Sequence, residues 1–263
     1  GYSAFPGRLA GLFRDEWVIG SYLIRLLPLS VFMFFYFKFY EFTKIKILFI
    51  FSVVSSIIII LLSGERAAFL LLILYLFAFT FIYVLKYFSY KKLLIFPFLI
   101  IIISAPFFID KSHTRLIDGL KNYTTLDSSK NVYWSYYKNS YQMFLEKPFI
   151  GKGPKMFRIE CKKYILENNQ YGCNTHPHNY YMQLLAENGL IGFTMILLVF
   201  FYFIKKLIYE IRKKDFSKSK FISNISLYLC FIINLWPLIP TGSFYSNWLS
   251  VFTFLPFAFY LYI

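Results

Sequence analysis

The chain has 263 residues, 58% of them hydrophobic and 23% aromatic, with a mean hydropathy of +0.56, whereas soluble domains average under about half apolar. Its formal charge of +15 is spread over short basic clusters between apolar runs and forms no exposed basic domain, which argues against nucleic acid as a partner. Composition therefore excludes an ordinary soluble enzyme and points to the lipid bilayer. The chain opens on Gly1 without a signal-peptide pattern, so further helices are expected upstream of it.

A helix rising about 1.5 Å per residue needs about 20 apolar residues to cross a hydrocarbon core of roughly 30 Å. In chain order, the runs that approach this length predict membrane helices near Val18 to Phe37, Ile45 to Leu62, Ala67 to Leu85, Leu93 to Ile109, Tyr180 to Ile204, Phe221 to Leu238 and Tyr245 to Tyr262. Within lipid, a helix satisfies its backbone groups inside each segment, whereas a closed barrel would show alternation that these runs lack. The expected fold class is thus all-α, a polytopic transmembrane helix bundle of about seven spans.

Positive charge in short loops marks the cytoplasmic side. Lys38, Lys44 and Lys46 flank one connection, and Lys86, Lys91 and Lys92 follow the third span. Lys205, Lys206, Arg212, Lys213, Lys214, Lys218 and Lys220 form the strongest cluster. With alternating helices all three fall on one side, which places the turn from Ser63 to Arg66, the segment from Asp110 to Asn179 and the turn around Pro240 in the periplasm of an inner-membrane protein. The expected organisation is residues 1–109 as four N-terminal spans, 110–179 as a periplasmic loop subdomain and 180–263 as three C-terminal spans.

Within the long loop, Trp134, Tyr137, Tyr141, Phe144 and Leu145 recur at three-to-four-residue spacing, which predicts an amphipathic helix that lays this face against the membrane or the bundle. Pro148 and Gly151 should stop it, and the turn Gly151-Lys-Gly-Pro-Lys should lead into a short helix near Met156 to Leu166. Cys161 and Cys173 fall in an oxidising compartment and are expected to pair, which would add on the order of 3 kcal/mol and anchor the residues leading to His176. Cys230 lies in a span and reads as a small apolar residue.

The stretch with the most chemistry is His176-Pro-His178-Asn179-Tyr-Tyr-Met-Gln-Leu-Leu-Ala-Glu187-Asn-Gly189-Leu-Ile-Gly192, where the loop enters a membrane helix. One interpretation is a capped helix start with polar groups at the lipid headgroups. Another is an imidazole placed to take a proton from an incoming hydroxyl. A metal pair is the third, with no Asp, Glu or further His at a familiar ligand spacing to complete it. Arg66 stands at the mouth of its helix either as a snorkelling side chain beside Glu65 or as a planar fork for a phosphate. Arg25 lies inside the first span, where a charge should face a protein interior or a wet cavity and seek a carboxylate. Arg8, Arg14, Arg115, Lys130, Lys152, Lys155 and Arg158 add positive charge on the same side, and a subset would suit an anionic substrate. No DxD-like pair, GxGxxG, Walker loop or GxSxG elbow occurs, which weakens nucleotide-sugar transfer, ATP hydrolysis and serine hydrolysis as functions.

These residues resemble bacterial O-antigen ligases and the related O-antigen polymerases. The ligase pattern of His, then Asn, Ser or Gln, nine residues, Gly, two residues, then Gly, Thr or Tyr matches His178, Asn179, Gly189 and Gly192. The family's Arg with Leu four residues on matches Arg66 and Leu70, and Arg8-Leu-Ala-Gly11-Leu-Phe13 and Pro148-Phe-Ile-Gly151-Lys-Gly153-Pro154 also look like family segments. The resemblance implies an inverting glycosyltransferase without metal or other cofactor. Its donor would be a glycan on undecaprenyl pyrophosphate and its acceptor lipid A-core or another glycan. His178 would be the general base and Arg66 the neutraliser of the leaving pyrophosphate, with His176, Asn179, Lys130, Arg115 and Arg158 at the substrates. Lys130 stands ahead of Trp134 where the family carries an arginine, so the charge is kept and the fork lost. A polymerase and a protein O-oligosaccharyltransferase share the motif and differ in acceptor, and a transporter of polyprenyl glycans is the competing class.

Overall fold

The computed structural model describes residues 18–87, 132–164, 173–213 and 217–262. The expected span from Leu93 to Ile109 lies outside the described residues, as do Arg8, Arg14, Arg115 and Lys130. Among the described residues the structure is all-α. Its helices are α1 (Ile19–Tyr36), α2 (Thr43–Leu62), α3 (Arg66–Tyr87), α4 (Val132–Glu146), α5 (Phe157–Glu160), α6 (Tyr180–Arg212), α7 (Lys218–Asn234) and α8 (Asn247–Tyr262). Four of these, α1, α2, α3 and α6, are long and apolar enough to cross a membrane. On α2 only Ile60 is buried, and Ile47, Leu48, Phe51 and Ile58 stand outward. An apolar surface of that length is not stable in water and belongs in lipid.

The chain divides into two compact units. Unit 1 comprises residues 1–114, 202–234 and 252–263, and its centre is α7, which is buried on most of its surface. Phe203 and Phe231 stack there with ring centroids 3.6 Å apart, and Phe257 meets Phe231 edge-on at 4.5 Å. The basic connections gather at one end of this bundle. Lys86 Nζ donates to the carbonyls of Ile211 and Lys213, Lys218 lies over Tyr83 and Tyr87, and Ser219 Oγ donates to Phe35 O at the end of α1. Cations here meet the negative ends of α3 and of α6.

At the other end Glu65 closes the N-terminus of α1. Its Oε1 accepts the Gly20 N–H at 2.6 Å, and its Oε2 accepts the N–H and hydroxyl of Ser21 at 3.0 and 2.7 Å. An anion on unfilled N–H groups at a helix start is stabilising, by up to about 2 kcal/mol when partly buried. Gly20 permits the approach, because a Cβ there would meet Ser63 Oγ at 2.6 Å. Burial raises the Glu65 carboxyl above the usual range, opposed by the Ser21 and Gly20 hydrogen bonds and by Arg25. Arg25, buried in α1, lies near enough to Glu65 to act on its carboxyl through space, and its own Nη1 donates to Ser21 O at 3.1 Å.

Unit 2 comprises residues 115–201 and 235–251. The helix expected around Trp134 forms, with a second face buried in the protein and part of the expected apolar face left outward, as a face laid against a membrane would be. Ser135, Tyr136, Asn139, Ser140 and Met143 are buried, whereas Trp134, Tyr141 and Leu145 are exposed. Small side chains on the inner face let α4 come close to its neighbours, so that Tyr136 and Met143 can fill a core with Phe157, Cys161 and Ala186. Trp134 and Tyr141 remain outside, while Tyr133 and Tyr137 pack against that core. Pro148 and Gly151 end α4 as expected, with Gly151 in the left-handed region at φ +67°. The short helix that follows is α5 plus a 3-10 turn over Cys161–Tyr164.

One expected span ends early and another is interrupted, each for a local reason. Helix α7 stops at Asn234, before Trp236 and Pro237, because proline has no N–H to continue the ladder. Helix α6 leaves helical geometry at Gly189, which has φ 63° and ψ −157°.

Candidate functional site

The break at Gly189 builds the site. A helix interrupted there leaves carbonyls and N–H groups unfilled, and the segment after α4 fills them. Lys152 N–H donates to Ala186 O at 3.0 Å and Gly153 N–H to Glu187 O at 2.8 Å, while Leu190 N–H returns to Pro148 O at 2.8 Å. The two backbones touch. A Cβ on Gly189 would lie 2.5 Å from the Phe149 carbonyl carbon, and one on Gly151 would lie 2.4 Å from that of Glu187. The motif glycine and the Pro148–Pro154 segment are thus two halves of one interlock. Gly192 serves the same bend, since a Cβ there would meet that of Asn188 at 2.4 Å.

Glu187, fully buried, ties the interlock to α5. Its Oε1 accepts the Phe157 N–H at 2.8 Å and its Oε2 the Gln183 amide at 3.0 Å. This fixes the start of α5, which carries Arg158 and leads to Cys161. Cys161 and Cys173 are joined in a disulfide, with Cα atoms 5.3 Å apart. Lys152, one of the basic loop residues, is neutralised internally by Glu146 and Glu160.

Between Cys173 and α6 the chain turns sharply. Asn179 is the N-cap of α6: its Oδ1 accepts the N–H groups of Tyr181 and Met182 at 2.9 and 3.1 Å, a contribution of about 1 kcal/mol. Its Nδ2 donates to Pro237 O at 2.8 Å, and Tyr181 Oη donates to Leu235 O at 2.7 Å. The residues released from the end of α7 thus become acceptors for the start of α6. The polar atoms of Asn179 are committed within the protein.

His178 has φ 55°, a left-handed conformation unusual for a side chain with a Cβ. Several contacts hold it there. Its carbonyl accepts the Thr241 N–H at 2.8 Å, its ring stacks on Tyr136 at 5.7 Å, and Tyr133 meets it edge-on at 5.9 Å. Strain of this kind persists where surrounding structure enforces it, and functional sites are where it accumulates. His176 lies alongside, with ring centroids 4.1 Å apart. Its Nδ1 is 2.9 Å from Thr175 Oγ1, and its Nε2 is buried without a partner.

Burial pushes the His178 imidazole below its usual value, with the Thr241 backbone opposing. His176 is pushed down to about 4, first by burial and then by the His178 ring, with Arg158 acting in the same direction. Both rings are therefore neutral near pH 7, the state in which an imidazole offers a lone pair. Arg158 is exposed and close enough to influence His176.

Of the residues singled out in the sequence, the structure brings His176, His178, Asn179, Arg158, Cys161 and Cys173 together in unit 2. Arg66 opens α3 in unit 1, partly buried. Sequence reasoning missed Asn174, Tyr136, Thr241 and Glu187. Only Glu187 carried a signal, as a carboxylate inside an apolar helix.

Fold and site together define a helical membrane protein with a polar, disulfide-linked subdomain that presents a neutral histidine pair. The O-antigen ligase family matches residues 51–197, more than half of the chain, and the chain belongs to that family. Arg66, His178, Gly189 and Gly192 all lie within the matched region. No curated protein and no solved structure gives a match. The family assigns a glycosyltransferase-like enzyme acting on lipid-linked glycans at the membrane.

Proposed function

We propose that the protein is an O-antigen ligase that moves a finished glycan from undecaprenyl pyrophosphate to a sugar hydroxyl of lipid A-core, on the periplasmic face of the inner membrane. The observation that carries the reading is the half-buried His178, held in a left-handed conformation by its backbone and by Tyr136 at the entrance of α6. In the proposed reaction the acceptor hydroxyl gives its proton to a ring nitrogen of His178 as its oxygen attacks the anomeric carbon. The bond from that carbon to the pyrophosphate breaks on the opposite face, so the configuration inverts. The electron pair leaves on the pyrophosphate oxygen, where the Arg66 guanidinium neutralises the developing charge. No metal enters this scheme. Arg158 is assigned to the anionic part of the substrates, because it is an exposed cation close enough to act on His176.

Complementation tests this directly. The full-length gene is placed in a host lacking its own ligase, and glycan attached to lipid A-core is scored on a gel. Restored attachment that disappears in His178→Ala is the expected result. Well-expressed protein that restores nothing would overturn the ligase reading in favour of a polymerase or a protein-glycosylating relative.

A further inference from the structure

Asn174 lies between Cys173 of the disulfide and the histidine pair, and three contacts fix its side chain. Its Oδ1 is 2.7 Å from the Thr175 N–H and accepts from it. The oxygen end of the amide is thereby identified, so the other end is the NH2 group. That group lies 3.1 Å from His178 Nε2 and 3.3 Å from Tyr136 Oη. An amide NH2 only donates, so the atom it meets on His178 has to be an unprotonated ring nitrogen. A neutral imidazole carries one proton, and with Nε2 accepting, that proton is on Nδ1.

We infer that Asn174 is a positioning residue which selects the tautomer of His178, keeping the Nε2 lone pair toward the acceptor and the proton on Nδ1. The inference rests on the reading of His178 as the base and goes beyond it by naming which nitrogen takes the proton. In the resting protein the Asn174 amide fills the Nε2 lone pair, and the acceptor hydroxyl replaces that N–H with its own O–H. The exchange is one donor for another, so the ring need not turn or change tautomer before transfer. Tyr136 contributes twice, supporting the ring face and accepting the amide's second N–H. Cys173 ties the neighbouring residue to Cys161, which anchors the chain next to this amide.

The test uses Asn174→Asp and Asn174→Ala in the full-length protein, reconstituted with donor and lipid A-core. Among the described residues the titratable groups facing the His178 ring are His176, Tyr133 and Tyr136, with Arg158 acting through His176, and none of them is altered. A carboxylate in place of the amide only accepts, so it demands a proton on Nε2 and stabilises the imidazolium. Asn174→Asp should lower kcat about 100-fold at neutral pH and move the acid limb of the kcat profile upward by about one unit or more. Asn174→Ala should lower kcat about 10-fold and leave that limb near its wild-type position, and neither change should alter the KM for donor. Wild-type kcat and an unmoved acid limb in Asn174→Asp would overturn the inference. Nitrogen-15 spectra of ring-labelled wild-type protein, with His178→Ala used to assign the signal, read the tautomer without any activity. Nδ1 protonated and Nε2 bare is expected, and the reverse tautomer overturns the inference even where His178 proves to be the base. Full transfer by His178→Ala would bring down the base reading and leave the tautomer result standing.

Discussion

Unit 1 and unit 2 are held by different kinds of interaction. In unit 1 long apolar helices meet through aromatic and aliphatic side chains; Glu65 caps α1 and lysines close α3 and α6 at the helix ends, and the buried polar groups, such as Ser226 and Asn234, mostly bond back to their own helix. Unit 2 instead buries Asn139, Asn179, Gln183 and Glu187 in named hydrogen bonds or tight packing, and locks backbone against backbone at Gly151 and Gly189. The first arrangement tolerates exchange of one apolar group for another. The second depends on particular atoms, because an unfilled buried polar group or a new Cβ in a backbone contact has nowhere to go. The two units should therefore respond differently to substitution.

The largest contrast is expected at Gly189. Gly189→Val adds a Cβ 2.5 Å from the Phe149 carbonyl carbon at φ +63° and should cost about 3 kcal/mol or more, combining left-handed strain with overpacking. Thermal unfolding in detergent checks this. An unchanged midpoint would show that the interlock is looser than described. Next comes the disulfide, where Cys161→Ser should cost about 3 kcal/mol. Non-reducing mass mapping of the native protein should find Cys161 linked to Cys173, and alkylation of both thiols would contradict the pairing.

Acid should act through His176. Its folded-state value, about 4, lies below the ordinary 6.5, so the unfolded chain binds the proton first. The associated stability is complete above pH 6.5 and is lost as pH falls from 6.5 through about 4, to a limit of roughly 3 kcal/mol. Unfolding midpoints across that window should fall in the wild type and fall less in His176→Gln. The smallest effect belongs to unit 1. Ile58→Leu on the outward face of α2 should change stability by less than about 0.5 kcal/mol, and a loss comparable to that of Gly189→Val would erase the contrast between the units.

The same contrast explains what could be read from the residues alone. α1, α2 and α3 were legible because apolar runs of that length admit few other structures, and the three basic connections do gather at one end of the bundle. The histidines were legible because few residues of that type occur, and they stand at a helix entrance. The inner face of α4 was not, because Ser135, Asn139 and Ser140 look solvent-facing until Phe157 and Cys161 are placed against them. The break at Gly189 was hidden by uninterrupted helical periodicity, since its cause lies in Pro148–Gly153, more than 30 residues earlier. Asn174 was invisible for a related reason: its role depends on which end of an amide faces which ring nitrogen.

The central claim is that His178 acts as the base of a glycan transfer. Its most direct test compares wild type and His178→Ala in one reconstituted preparation, measuring turnover of the polyprenyl pyrophosphate donor alongside donor binding. A fall in turnover of about 100- to 10,000-fold with donor binding unchanged is expected, whereas turnover retained at the wild-type rate would contradict the role of His178 as base.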